Sequence, residues 1–295
     1  MTIVHYPVMH QEVLDYLTLP TDRTSLLIDC TTGEGGHTKL FLDKYPLLTV
    51  IGLDRDSEIQ KKAIERFLPY GDRFKPVNTW FNDYLEERDS ESADAILFDL
   101  GISTFHYEES ERGFSFRKDE ELDMRLDSSQ RLTAETIVNE YGEEELANVI
   151  YKYGEERYSR RISRAICEYR KTKRITSSLE LSSIISSCVP REYRYGRINP
   201  ATRTFQALRI EVNKELDRIE PALTNALRVL KKGGRVAVIT FHSLEDRIVK
   251  WTFKDRESKY GDIKILTKKP IIPSDKECEE NAPSRSAKLR VVEKI

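Results

Sequence analysis

The chain has 295 residues, 33% of them charged and 39% apolar, with 48 basic and 50 acidic side chains and a formal net charge of −2. That length makes one large domain or two modest ones, able to bury a core unaided, and the balance excludes a disordered or membrane-spanning chain. A total so close to zero conceals any local asymmetry, so charge is read by segment below.

In chain order, Ser25–Cys30 (SLLIDC), Thr49–Asp54 (TVIGLD) and Ala93–Leu100 (ADAILFDL) read as buried strands, with a shorter one at Phe74–Val77. Helical patterns at His37–Lys44 and Ser57–Leu68, the second capped by Ser57, separate them. This alternation predicts a parallel sheet with right-handed crossovers. From Tyr107 to about Ala207 the strands stop. Helical spacing recurs at Ala134–Asn139, Glu144–Tyr151, Arg157–Lys171 and Ser178–Ser187. Gln206–Leu230 reads as one long amphipathic helix ended by Gly233–Gly234. Arg235–Phe241 resumes the strands, and Lys264–Thr267 with Lys288–Glu293 supplies a terminal hairpin. The economical organisation is one α/β domain, residues 1–106 and 207–295, interrupted by a domain-sized helical insertion, residues 107–206.

The first residues lack the basic start and apolar run of a signal peptide, and no stretch approaches about 18 apolar residues. The four cysteines have neither metal-ligand spacing nor the density of a disulfide framework. A cytoplasmic protein without membrane contact is expected.

Charge separates inside the insertion. Residues 107–156 hold 15 acidic and 6 basic side chains, a net of −9, whereas residues 157–209 hold 13 basic and 3 acidic, a net of +10. Eleven of those 13 are arginine, with Tyr158, Tyr169, Tyr193 and Tyr195 among them. Arginine with aromatics suits phosphate contact and base stacking. The alternative is a solvated face that pairs with the acidic half.

The first strand runs into Thr31-Thr32-Gly33-Glu34-Gly35-Gly36-His37, a D-x-x-x-G-x-G pattern counted from Asp29. Glycines there let the backbone turn tightly and approach a ligand. A dinucleotide fingerprint would want a third glycine where this chain has Thr38, and no G-K-S/T follows, so a nucleotide phosphate grip is disfavoured. Asp54 ends the next strand, where a carboxylate accepts hydrogen bonds from ribose hydroxyls. A nucleoside cofactor without pyrophosphate fits, and S-adenosylmethionine is the obvious one. Asp99 ends the strand ADAILFDL, on the edge where cofactor and substrate meet in an open α/β sheet.

Five blocks then carry a resemblance that covers almost the whole chain: DCTTGEGGH (29–37), ERGFSF (111–116), LDMR (122–125), NPATRTFQALRIEVN (199–213) and FHSLEDRIVK (241–250). In these, and in the flanking His5–Val8 and Ser286–Arg290, the chain resembles the bacterial small-subunit rRNA (cytosine-N4)-methyltransferases, the RsmH or MraW family. The resemblance implies a class I, Rossmann-like methyltransferase sheet with a helical insertion. It implies S-adenosylmethionine as donor, and a decoding-site cytidine of 16S rRNA in the small ribosomal subunit as acceptor. Cofactor contacts carry over to Gly35, Gly36, His37, Asp54, Phe81, Asp99 and His106. At His106 the family usually has glutamine, and histidine is shorter and partly protonatable. Asn281-Ala282-Pro283-Ser284 likewise replaces the family's asparagine-proline-arginine.

A cytosine amine is a poor nucleophile because its lone pair is delocalised into the ring, whereas a sulfonium methyl is already activated. Alignment and a hydrogen-bond acceptor on the amine are therefore the enzyme's tasks. Asp99 is the first candidate acceptor; Ser103, His242, Glu245 and Asp246 are secondary ones. Arg203, Gln206 and Arg209 are placed to touch RNA backbone, and Phe114 and Phe116 either flank a flipped base or anchor the insertion. The rival class is a noncatalytic RNA-binding ribosome-assembly factor that kept the fold. Monomer and homodimer are both compatible with the sequence.

Overall fold

The computed structural model describes residues 7–295, so His5 and Tyr6 of the N-terminal block lie outside the described residues. The chain divides into two compact units. One runs up to Ile102 and resumes at Leu216; the other is Ser103–Glu215.

The first unit begins with α1 (His10–Tyr16), β1 (Ser25–Asp29), α2 (Gly36–Lys44), β2 (Leu48–Asp54), α3 (Ser57–Phe67), β3 (Phe74–Asn78), α4 (Phe81–Glu87) and β4 (Ala93–Asp99). β1, β2 and β4 are apolar without alternation because both sheet faces are covered there, whereas the edge strand β3 is largely exposed. Leu27, Val50, Ala95 and Leu97 join one core with Val13, Leu17 and Phe41, while Ile28, Leu53, Ile96 and Phe98 join a second. The cap of α3 is Asp56, not Ser57: its carboxylate accepts from the Glu58 amide at 2.9 Å.

The second unit holds α5 (Thr104–Glu108), α6 (Ala134–Glu140), α7 (Glu143–Gly154), α8 (Ser159–Tyr169), α9 (Ser178–Cys188), α10 (Arg191–Arg194) and α11 (Ala201–Asn213). Among its described residues the only extended pairing outside a strand is a bridge between Glu121 and Ser177. α7 packs between α8 and α11. The irregular stretch before α6 is fixed by buried Leu122 and Met124 and by the Asn213 amide, which donates to the Met124 carbonyl at 2.8 Å.

The return to the first unit corrects the sequence reading. The single helix expected over Gln206–Leu230 is two, α11 and α12 (Glu215–Val229), broken at Lys214 with φ 51°. Apolar spacing continues across the break because each half buries its own face. α12 ends at Val229, before the two glycines. They lie inside β5 (Leu230–Thr240), where a register shift opposite Ala93–Ala95 takes up the extra residues. A Cβ on Gly234 would stand 2.8 Å from the Asp94 carbonyl, which explains the glycine. α13 (Ser243–Tyr260), β6 (Ile263–Ile265), α14 (Asp275–Glu280) and β7 (Lys288–Lys294) complete the unit. The last two strands are antiparallel neighbours, although α14 intervenes.

The sheet has the order β3-β2-β1-β4-β5-β7-β6. β1 to β5 are mutually parallel and β7 is antiparallel to both its neighbours. No helix among the described residues is long and apolar enough to cross a membrane.

Candidate active site

β1 sits between β2 and β4, so the chain leaves it on one side and returns on the other. In an open parallel sheet the crevice at the carboxyl ends of such strands takes the ligand. Three carboxylates stand on that edge: Asp29 ends β1, Asp54 ends β2 and Asp99 ends β4. Strand register aligns Asp29 with Gly52 and Leu97, and Asp99 with Ile239.

The glycine loop is braced from both sides. The Gly33 amide donates to Asp54 Oδ2 at 2.9 Å, and the Asp56 amide donates to Asp54 Oδ1 at 2.8 Å. Gly33 and Gly35 both have positive φ, 54° and 81°. A Cβ on Gly35 would stand 2.2 Å from Phe67 Cε2, so this position excludes any side chain. Gly35 is also the N-cap of α2, which carries no side-chain cap hydrogen bond. The first amides of α2 thus suit an anionic group such as the carboxylate of S-adenosylmethionine. A carboxylate oxygen accepts more than one hydrogen bond, so Asp54 can brace the loop and still receive ribose hydroxyls. On these observations the residues fit the cofactor.

Three further residues, none of them a site candidate from the sequence, support this edge. Thr38, which stands where a dinucleotide fold has glycine, donates its hydroxyl to Asp29 Oδ2 at 2.7 Å. Thr31 Oγ1 accepts the Asp99 amide at 2.6 Å and ties the glycine loop to β4. Asp29 itself is buried, and desolvation raises its carboxyl to about 6 against the hydrogen bonds from Thr38 and Thr31. Only Asp29 carried a signal in the sequence, as the carboxylate at a strand end that opens the glycine pattern.

Asp99 is perturbed further. Burial first, then the neighbouring Asp29, raises its carboxyl to about 7, with the Gly101 amide opposing and Glu245 adding. His37 lies on the same edge, with Nδ1 3.6 Å from Asp99 Oδ2 and Nε2 2.9 Å from the Val8 carbonyl. A carbonyl only accepts, so Nε2 carries the proton. Burial holds the imidazole neutral, with its value lowered to about 4. The site therefore holds a carboxyl that changes charge near neutrality beside a neutral histidine.

The other predicted residues separate by unit. Phe81 opens α4, half-buried, edge-on to Phe98 at 5.5 Å. His106 belongs to the second unit, buried between Phe105 and Phe114 at ring distances of 5.5 and 5.2 Å. Phe114 and Phe116 pack within that unit too, Phe116 against Phe205 at 5.4 Å. Of the secondary candidates, Ser103 caps α5, and His242 caps α13 through the Glu245 amide at 3.4 Å. Glu245 in turn accepts the Phe241 amide at 2.8 Å, and Asp246 is ion-paired with Arg290 at 2.7 Å. Each of the four thus has a structural partner within its own unit.

The arginine-rich half divides as well. Arg170, Arg174, Arg203 and Arg209 bond within their own unit: Arg170 to the Val138 carbonyl, Arg174 to Glu135, Arg203 to the Glu155 carbonyl and Arg209 to Glu215. Gln206 donates to the Tyr153 carbonyl. Arg203, Gln206 and Arg209 therefore have internal partners. Arg157, Arg160, Arg161, Arg191, Arg194 and Arg197 are exposed and have no acidic partner among the described residues. Arg157 lies 4.8 and 5.2 Å from the rings of Tyr158 and Tyr193. The acidic half absorbs part of the positive charge and leaves a basic, aromatic remainder around α8 and α10.

Comparison with known proteins shows the family. The profile of the MraW methylase family matches residues 2–295. The chain is 48% identical over 311 residues to ribosomal RNA small subunit methyltransferase H of Treponema denticola, covering 100% of this chain and 98% of that one. It is 47% identical over 296 residues to the protein of the same name from Persephonella marina, covering 99% and 100%. Among solved structures it is similar to an rRNA methylase from Streptococcus thermophilus, with a TM-score of 0.44 and 11% identity over 97% of this chain and 93% of that one. The chain belongs to the MraW methylase family, a family of S-adenosylmethionine-dependent rRNA methyltransferases.

Proposed function

We propose that the chain transfers a methyl group to the exocyclic N4 of a decoding-site cytidine in the 16S rRNA of the small ribosomal subunit. The observation that carries this reading is the placement of Asp99 at the carboxyl end of β4, beside His37 in the first turn of α2, in a chain 48% identical to a ribosomal RNA small subunit methyltransferase H. The cofactor, when bound, supplies a methyl group activated by its sulfonium.

The chain's own residues then hold and align. The amides of Gly35, Gly36 and His37 take the cofactor carboxylate, Asp54 takes the ribose hydroxyls, and Phe81 flanks the adenine. Asp99 accepts a hydrogen bond from the cytosine amine, which localises the nitrogen lone pair, and takes the proton released on transfer. A base whose affinity for the proton lies near the working pH suits that step. His106 is carried over from the resemblance as a further cofactor contact. The insertion, residues 107–206, recognises the RNA through the exposed arginines of α8 and α10.

The test is mass mapping of 16S rRNA from cells with and without the gene. Loss of one methyl from a decoding-site cytidine is expected; an unchanged map refutes the reading.

A further inference from the structure

The first unit carries a surface feature that the methyl-transfer site does not use. α13 leaves the carboxyl end of β5 and buries one face through Glu245, Val249 and Phe253. Trp251 lies on the opposite face and is 54% exposed. An indole left this open gives up much of the burial that would stabilise the fold. It is flanked by two cations: Lys250 Nζ and Lys254 Nζ lie 5.3 and 5.4 Å from the ring centroid.

The acids of α13 do not neutralise those cations. Glu245 accepts the Phe241 amide, Asp246 pairs with Arg290, Asp255 pairs with Lys259, and Glu257 accepts the Ile265 amide. Lys250 and Lys254 have no acidic partner among the described residues. An exposed ring with two uncompensated ammonium groups over it suits a nucleotide, whose base takes the indole face as the flexible lysines turn to its phosphates. A protein docking site would instead set the ring in an apolar, charge-depleted centre. Trp251 lies eight residues into a helix that starts at the ligand edge of the sheet, about 12 Å along its axis.

We infer that Trp251, Lys250 and Lys254 form a second RNA-docking surface, on the methyltransferase unit itself, in which an unpaired nucleotide of the substrate RNA stacks on the indole. This rests on the rRNA reading given above and adds a contact outside the insertion.

The test measures binding of a protein-free 16S rRNA transcript and of assembled small subunits across a salt series. Trp251→Ala should weaken binding of the transcript by roughly 5- to 150-fold, the range for one stacked base. Trp251→Phe should restore most of that loss. Lys250→Ala with Lys254→Ala should flatten the salt slope by about 1.4, at roughly 0.7 per phosphate contact on a single strand. Cofactor affinity and melting temperature of each variant, measured alongside, confirm that the fold is intact. Parent-like binding of the transcript by folded Trp251→Ala overturns the inference while the rRNA reading stands. A loss confined to assembled subunits overturns it as well, because the occupant would then be a ribosomal protein. Failure of the unaltered protein to bind either RNA sinks the rRNA reading and this surface together.

Discussion

Replacing Asp99 by asparagine should stabilise the protein at alkaline pH while it impairs the reaction. The carboxyl rises from the ordinary value of about 3.9 to about 7, through burial first and then through Asp29. Below the unfolded value the group is neutral in both states and costs nothing. Between the two values the folded state holds the proton more tightly, so stability falls as pH rises; above about 7 the full penalty stands. Full expression corresponds to ~4 kcal/mol, and the 22% exposure of the Asp99 side chain makes that a ceiling. Asparagine does not titrate, so whatever its own packing costs is the same at every pH. The stability of Asp99→Asn relative to the parent should therefore grow by about 1–3 kcal/mol from pH 5 to pH 8. Urea melts of both proteins without cofactor at the two pH values read this directly. A difference that stays flat or shrinks would refute the argument that the fold forces this carboxylate into a desolvated position.

The same variant should lose turnover by more than it loses cofactor affinity, because the amide cannot take the amine proton; equal losses would confine Asp99 to cofactor binding. Asp54→Ala should weaken S-adenosylmethionine binding by about 1.5–3 kcal/mol, the range for hydrogen bonds to a charged group, and unchanged calorimetric affinity would remove Asp54 from the site. Gly35→Ala forces a left-handed backbone and a methyl against the Phe67 ring. It should cost roughly 2–5 kcal/mol in thermal unfolding, and a parent-like melt would contradict the loop geometry. Arg160→Ala with Arg161→Ala should flatten the salt slope of RNA binding by about 1.4 and leave cofactor affinity unchanged. An unchanged slope with a lowered melting temperature would mean that these arginines serve the fold alone.

The sheet was legible because a parallel strand buried on both faces must be apolar throughout. SLLID, TVIGLD and ADAILFD announce themselves in this way, and each ends in the aspartate that builds the site. The break between α11 and α12 was not legible, because Lys214 turns left-handed without interrupting the apolar spacing on either side. α13 carries only local signals: a polar cap at His242, Glu245 three residues on, Val249 and Phe253 one turn apart, and Gly261 at the end. Thr31 and Thr38 could not be assigned from the sequence: Thr31 reaches Asp99 on a strand 68 residues on, and Thr38 reaches back to Asp29 only once the glycine loop has turned. The arginine segment showed its net charge but not how that charge is divided. Which guanidinium groups find an internal carboxylate or carbonyl is decided by packing, as Arg174 and Arg209 show against Arg157 and Arg161.

The central claim is a reaction at one atom of one base. It is tested most directly by incubating the purified protein with S-adenosylmethionine carrying a labelled methyl group and small subunits from cells lacking the gene. The rRNA is then digested to nucleosides, and the labelled position is mapped by mass spectrometry. The account predicts label in N4-methylated cytidine at a single decoding-site position, and its loss in Asp99→Asn. Label at cytosine C5, on another base or outside the decoding site, or none from a protein that binds the cofactor, would contradict it.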